Sequence, residues 1–286
     1  MAAETHWFNI TALTGKERLD PLEDWLWQQG AVSVTVEDAA DNPIYEPPPG
    51  TQPVWEDVVV TGLFEAGVRP EEIVSGLEAE GFSGVLLHKL ENRVWEREWL
   101  ERFKPMQFGH QLWVCPSGFE PPEGIVIKMD PGLAFGTGTH ATTRLCLEYL
   151  DGLEVGGWHV LDYGCGSGVL GIGAALKGAE TVQAVDIDQQ ALNAALENAR
   201  RNGVSLDVSM PGKALKTADL VFANILAGPL EELAPMLIDA TADGGLLVLS
   251  GIMSSQKEWL TAVYETQVDL IDEAQLDGWI RLVWRR

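Results

Sequence analysis

Two rhythms of apolar positions divide this chain. Over residues 1–91, short alternating runs flank two helical ones. Trp7-Phe8-Asn9-Ile10-Thr11-Ala12 has the period of a strand, and Arg18 to Gln29 places Leu19, Leu22, Trp25 and Leu26 on one side of a helix. Ala31 to Val36 alternates and is rich in β-branched residues, so it predicts a strand. Glu46-Pro47-Pro48-Pro49-Gly50 marks an exposed connection. A strand resumes over Val54 to Phe64, Pro70-Glu71-Glu72 opens a second helix with proline in its first turn, and Val85 to Leu90 closes the set. The succession β-α-β-β-α-β predicts a small ferredoxin-like α+β domain.

Residues 92–106 predict a linker helix. Glu91 to Phe103 is helical in composition with Trp95 and Trp99 one turn apart, and Lys104-Pro105-Met106 ends it. From residue 107 to 286 the pattern becomes α/β. Strands at Val126–Met129, His159–Tyr163, Thr181–Val185, Leu206–Ser209, Asp219–Ala223 and Gly245–Ser250 alternate with helices at Thr139–Leu150, Gly168–Lys177, Asp188–Asn202, Pro229–Ala240 and Gln256–Tyr264. Such alternation buries a mainly parallel sheet on both faces. Gln267–Asp272 and Trp279–Trp284 flank Asp277-Gly278 and predict a hairpin. The expected architecture is Rossmann-like, with a seven-stranded mixed sheet.

Composition narrows the classes of function. The 46% hydrophobic and 22% charged content is that of a globular protein. With no long apolar window and no basic n-region before an apolar core, neither a membrane span nor a secretory signal is expected. Cys115, Cys146 and Cys165 are widely separated and form no C-x-x-C pair, which fits reduced thiols in the cytoplasm and argues against a metal site. A net charge of −24, from 19 basic and 43 acidic residues, weighs against nucleic acid as partner and favours a basic one.

The candidate chemistry begins at Val160-Leu161-Asp162-Tyr163-Gly164-Cys165-Gly166-Ser167-Gly168, where an apolar strand meets a glycine-rich turn. Glycines let a ligand approach the backbone closely. Asp162 repels a pyrophosphate and attracts a cation, so the turn fits the ammonium and sulfonium of S-adenosylmethionine better than a nicotinamide dinucleotide. Asp186 ends the next strand beside that turn, where a carboxylate accepts both hydroxyls of a ribose; alone it does not choose between cofactors. Asp188 is the better cap for the following helix. Asn224, at the end of a later strand, can accept from an amine. Many nitrogen methyltransferases have Asn-Pro-Pro-aromatic here, whereas this chain has Asn224-Ile225-Leu226-Ala227. In the loop Asp130 to Thr143, Phe135 could supply the missing ring, Thr139 could cap the helix, and His140 is a candidate hydrogen-bonding residue or base.

Taken together, Asp130-Pro131-Gly132-Leu133-Ala134-Phe135-Gly136-Thr137-Gly138-Thr139-His140, Asp162 to Gly168, Ala184-Val185-Asp186-Ile187-Asp188 and Ala223 to Leu230 resemble the bacterial enzymes that methylate large-subunit ribosomal protein eleven. The resemblance spans the α/β half, and the N-terminal half matches that family's substrate-recognition domain in type. It implies S-adenosylmethionine as cofactor, with Thr143, Gly164, Asp186 and Asn224 on binding positions and Gly166 and Asp162 in the same turn. It also implies methylation of lysine ε-amines and the N-terminal α-amine of a basic ribosomal protein. Asn224, Phe135 and His140 are the catalytic candidates, and a cytoplasmic monomer is expected. A methyltransferase acting on RNA or a metabolite is the rival, but the N-terminal strands lack a basic-aromatic RNA-binding signature.

Overall fold

The computed structural model describes residues 6–40, 55–90, 104–130 and 138–286. The chain separates into two compact units, Met1–Arg97 and Glu98–Arg286. In the first, β1 (Trp7–Gly15), α1 (Leu19–Gln28), β2 (Ser33–Asp38), β3 (Asp57–Glu65), α2 (Pro70–Ala79) and β4 (Ser83–Leu90) follow in the order read from the sequence. The four strands pair antiparallel in the spatial order β2-β3-β1-β4. Alternate residues Ile10, Ala12, Val58, Val60 and Phe64 meet Leu22, Leu26, Ile73 and Leu77 of the helices in one core. Glu46–Gly50 and the expected helix with Trp95 and Trp99 lie outside the described residues.

The second unit opens with three strands of which the sequence revealed only the last: β5 (Met106–Phe108), β6 (Leu112–Cys115) and β7 (Ile125–Lys128). Met106, expected to end a helix, instead pairs with Val114. The turn between β5 and β6 is held by the Asp151 carboxylate, which accepts from the backbone N–H groups of His110 (2.6 Å), Gln111 (3.1 Å) and Leu112 (2.8 Å).

Next come α3 (Ala141–Asp151), β8 (His159–Tyr163), α4 (Val169–Leu176), β9 (Thr181–Val185), α5 (Gln189–Arg201), β10 (Asp207–Ser209), β11 (Ala218–Asn224), α6 (Ala227–Glu232), α7 (Ala234–Ala240), β12 (Thr241–Met253), α8 (Lys257–Tyr264), β13 (Asp269–Leu276) and β14 (Trp279–Arg285). The seven strands are ordered β10-β9-β8-β11-β12-β14-β13. Pairs from β10 to β12 are parallel, and β14 pairs antiparallel with both β12 and β13. This is a Rossmann-like sheet covered on both faces. Leu147, Leu150, Val169, Leu170, Ile172 and Leu192 pack one face, and Leu230, Leu237, Ile238, Leu260 and Tyr264 the other. Successive residues Val160 and Leu161 of β8 divide between these cores, as a two-residue period requires. The helix expected over Pro229–Ala240 is two helices, because Pro235 has no N–H to continue the first.

No helix links β10 to β11. The buried Gln183 side chain holds this connection, donating to the Ala214 carbonyl and accepting from the Lys216 N–H. A cavity of about 600 Å³ lies between the connection and α7, lined by Tyr163, Leu215 and Met236. It includes none of the residues singled out for chemistry.

Candidate functional site

The parallel strands β8, β9 and β11 end side by side, and the residues named for chemistry fall at those ends. After β8 the chain turns sharply. Gly164 and Cys165 both donate to the Val185 carbonyl, at 2.7 and 3.0 Å, which ties the turn to the end of β9. Gly168 starts α4 in the left-handed region (φ +79°), and a Cβ on it would sit 3.0 Å from the Ala195 Cβ. Both its backbone angle and its close packing therefore favour glycine.

Asp162 lies beneath this turn rather than open to it. It is 1% exposed, and its Oδ2 accepts from the Gly171 N–H at 2.9 Å. Burial pushes its carboxyl up to about 7; the Gly171 bond opposes that rise and the nearby Asp186 charge adds to it. Asp186 is half-buried at the end of β9. Its Oδ2 accepts from Gly166 N–H (2.8 Å) and its Oδ1 from Asp188 N–H (2.9 Å). A carboxylate has about four lone-pair sites, so each oxygen retains capacity for a further donor. Asp188 caps α5 by accepting from Gln190 N–H at 2.8 Å.

Asn224 ends β11. Its Nδ2 donates to Thr143 Oγ1 at 3.5 Å, while its Oδ1 is buried with no hydrogen-bond partner. Leaving such an acceptor unpaired costs about 1–3 kcal/mol, so it is suited to an incoming N–H donor. Gly164 abuts this strand end: a Cβ on it would fall 2.2 Å from Ile225 Cγ2. The glycine turn, Asp186 and Asn224 therefore border one carboxyl-edge crevice, where open α/β sheets bind ligands.

His140, rather than Thr139, caps α3. Its Nδ1 accepts from Thr142 N–H at 3.3 Å and lies 2.8 Å from Thr142 Oγ1. Burial lowers its pKa, favouring the neutral ring that an accepting cap needs. Its ring meets Trp279 edge-on at 5.0 Å. Phe135 lies outside the described residues.

Sequence reasoning overlooked several neighbours of this site. Ile187 and Met210 follow the ends of β9 and β10 and are 77% and 45% exposed, offering apolar surface beside Asp186. The signal was present, since each directly follows a strand-end polar residue. Ser250 of β12 stands opposite Asn224 in register and Gly251 follows against the Ile225 backbone, and nothing local in the sequence marks them. Among the described residues no cluster of His, Cys, Asp or Glu could hold a metal. No helix among them is long and apolar enough to cross a membrane.

A parallel sheet with an inserted antiparallel β14, a glycine turn after β8 and a carboxylate ending β9 define a class I methyltransferase, which uses S-adenosylmethionine. The residues present suit that cofactor: Asp186 has acceptor capacity left, Ile187 and Met210 offer an apolar edge, and Asn224 carries an unpaired acceptor. Comparisons with known proteins agree. A family model described as ribosomal protein L11 methyltransferase (PrmA) matches residues 6–286. The ribosomal protein L11 methyltransferase of Methylococcus capsulatus is 47% identical over 286 residues, covering 96% of this chain and 98% of that protein. That of Marinobacter nauticus is 45% identical over 293 residues, covering 98% of each. The crystal structure of ribosomal protein L11 methylase from Lactobacillus delbrueckii subsp. bulgaricus aligns with a TM-score of 0.57 at 32% identity, covering 64% of this chain and 99% of that one. The chain belongs to the ribosomal protein L11 methyltransferase family.

Proposed function

We propose that this protein transfers methyl groups from S-adenosylmethionine to lysine ε-amines and the N-terminal α-amine of ribosomal protein L11. The observation that carries the reading is the buried, unpaired Oδ1 of Asn224 at the sheet's carboxyl edge. The bound cofactor supplies an electrophilic sulfonium methyl. Asp186 would accept from the ribose hydroxyls, Gly164 and Gly166 would let the backbone approach the cofactor, and Thr143 holds the Asn224 amide nitrogen, leaving its oxygen for the amine. Asp162, braced against Gly171, holds the turn and biases it toward a cation.

A lysine amine has an ordinary pKa of ~10.4, so it must shed a proton before its lone pair can attack. Desolvation in the crevice favours the neutral form. Asn224 Oδ1 would accept one N–H of the neutral amine, its proton having passed to solvent, and orient the lone pair toward the methyl group that the bound cofactor would supply. Such alignment can supply about 7–11 kcal/mol of the barrier reduction. His140 acts by fixing the first turn of α3, on which Thr143 lies. The N-terminal unit, residues 1–91, is a ferredoxin-like recognition domain for the basic substrate, joined through 92–106 to the catalytic residues 107–286. The enzyme works as a cytoplasmic monomer without binding nucleic acid or membrane.

Incubation with labelled S-adenosylmethionine and a ribosome-free extract should place label in a single small basic protein identified by mass as L11. Label confined to RNA overturns the substrate. Asn224→Ala should lower turnover by about 100-fold, and full turnover with unchanged cofactor affinity would remove Asn224 from the mechanism.

A further inference from the structure

Resting on the reading that Asn224 receives the amine, we propose that Gly251 is a positioning residue for methyl transfer: the absence of its Cβ lets the Asn224-Ile225 segment sit where the acceptor amine needs it. Three observations converge on this glycine. Its φ of +85° is one that L side chains rarely adopt. A Cβ would fall 2.1 Å from the Ile225 carbonyl oxygen, 2.7 Å from its carbon and 3.2 Å from its nitrogen. All three are backbone atoms, which cannot rotate out of the way as a side chain can. Finally, β12 leaves the regular β14 ladder between Leu249 and Ile252, the stretch in which Ser250 stands opposite Asn224.

Neighbouring bonds fix that stretch. Ser250 is fully buried, and its hydroxyl donates to the Ile280 carbonyl at 3.1 Å. It also lies 3.5 Å from the Thr142 carbonyl, next to the threonine that bonds the Asn224 amide. Ser250-Gly251 thus forms a shelf against which Asn224-Ile225 rests. Any side chain at 251 would displace the Ile225 carbonyl by about 1 Å, and a displacement of that size can cost about 100-fold in rate. Asp186 and the glycine turn are held on β8 and β9 by bonds that do not involve the shelf, so cofactor affinity falls much less than turnover when the shelf moves.

Gly244 supplies the control. It lies in the same strand with φ +78°, yet nothing lies within 4 Å of where its Cβ would be. Gly244→Ala therefore carries the backbone strain without the collision. In the full-length chain, Gly251→Ala should lower kcat on L11 by about 100-fold, with cofactor affinity by calorimetry within about threefold of wild type. Gly244→Ala should match wild type in both. The side-chain NH₂ resonances of Asn224, assigned by their loss in Asn224→Ala, should shift in Gly251→Ala and stay in place in Gly244→Ala. Because this readout needs no substrate, it tests the shelf even if wild type fails on L11, a failure that would overturn the functional reading instead. Should Gly251→Ala not fold, Ser250→Ala, which leaves φ at 251 free of any new side chain, should lower kcat by about 10-fold at unchanged cofactor affinity. An unmoved Asn224 resonance, equal effects of the two glycine variants, a parallel loss of cofactor affinity and turnover, or a Ser250→Ala enzyme with wild-type kcat would each overturn the proposal.

Discussion

Asp162 differs from the other acidic residues of the site in being buried beneath the turn, which raises its pKa to about 7. In the unfolded chain it ionises near the ordinary value of about 3.9. Between those limits the folded state holds the extra proton, so this group's contribution to stability declines as pH rises through the interval. Urea unfolding of Asp162→Asn at about pH 5 and about pH 7.5 should therefore show a flatter pH dependence than wild type. A bound sulfonium favours the ionised carboxylate. The affinity ratio of S-adenosylmethionine to neutral adenosylhomocysteine should accordingly rise from about pH 6 to about pH 8, and calorimetry at both pH values checks this. The sequence placed Asp162 and Asp186 correctly at strand ends. It could not show that one lies under the turn and the other at its mouth, because the N–H groups that separate their roles come from Gly166 and Gly171 after the chain has folded back.

At the scale of elements, the strands read most accurately were those buried on both faces. β8 and β9 have the predicted boundaries, and the Asp277-Gly278 hairpin turn carries the two positive φ angles (48° and 80°) of a primed turn. β5 and β6 were missed because runs of three and four residues establish no period, and what holds them is remote in sequence. Burial works against the Asp151 charge, but the N–H groups of His110, Gln111 and Leu112, with Lys177 nearby, hold its carboxyl below the ordinary range. That stabilisation is present above the ordinary carboxylate pKa and is lost as pH falls through the lowered one. Asp151→Ala should cost about 3 kcal/mol, read as a fall in the urea midpoint with unchanged m.

At the scale of the molecule, among the described residues the core of the first unit and the two cores of the second have no residue in common. A fragment of residues 104–286 should therefore fold and bind S-adenosylmethionine within about threefold of the full chain. If residues 1–91 recognise the substrate, the same fragment should lose most of its kcat/KM on L11, and steady-state kinetics on the two proteins decides it. The net charge of −24 adds a further expectation. Association with a basic substrate is steered by long-range attraction, so kcat/KM should fall as salt is raised from about 0.05 to about 0.3 M while kcat holds.

The position of β14 between β12 and β13 has a consequence for how the protein assembles. β13 and β14 are joined by a tight turn and can zip together in about 1–10 μs, whereas β8 must find β11 across the whole of α4, β9, α5 and β10. The hairpin should therefore form before the sheet has an edge to receive it, and dock through its second strand. Only that docking buries Trp284 and brings Arg281 to the Leu145 carbonyl of α3. The helix bearing Thr143 is consequently secured late, and a refolding chain should recover its secondary structure before its catalytic activity.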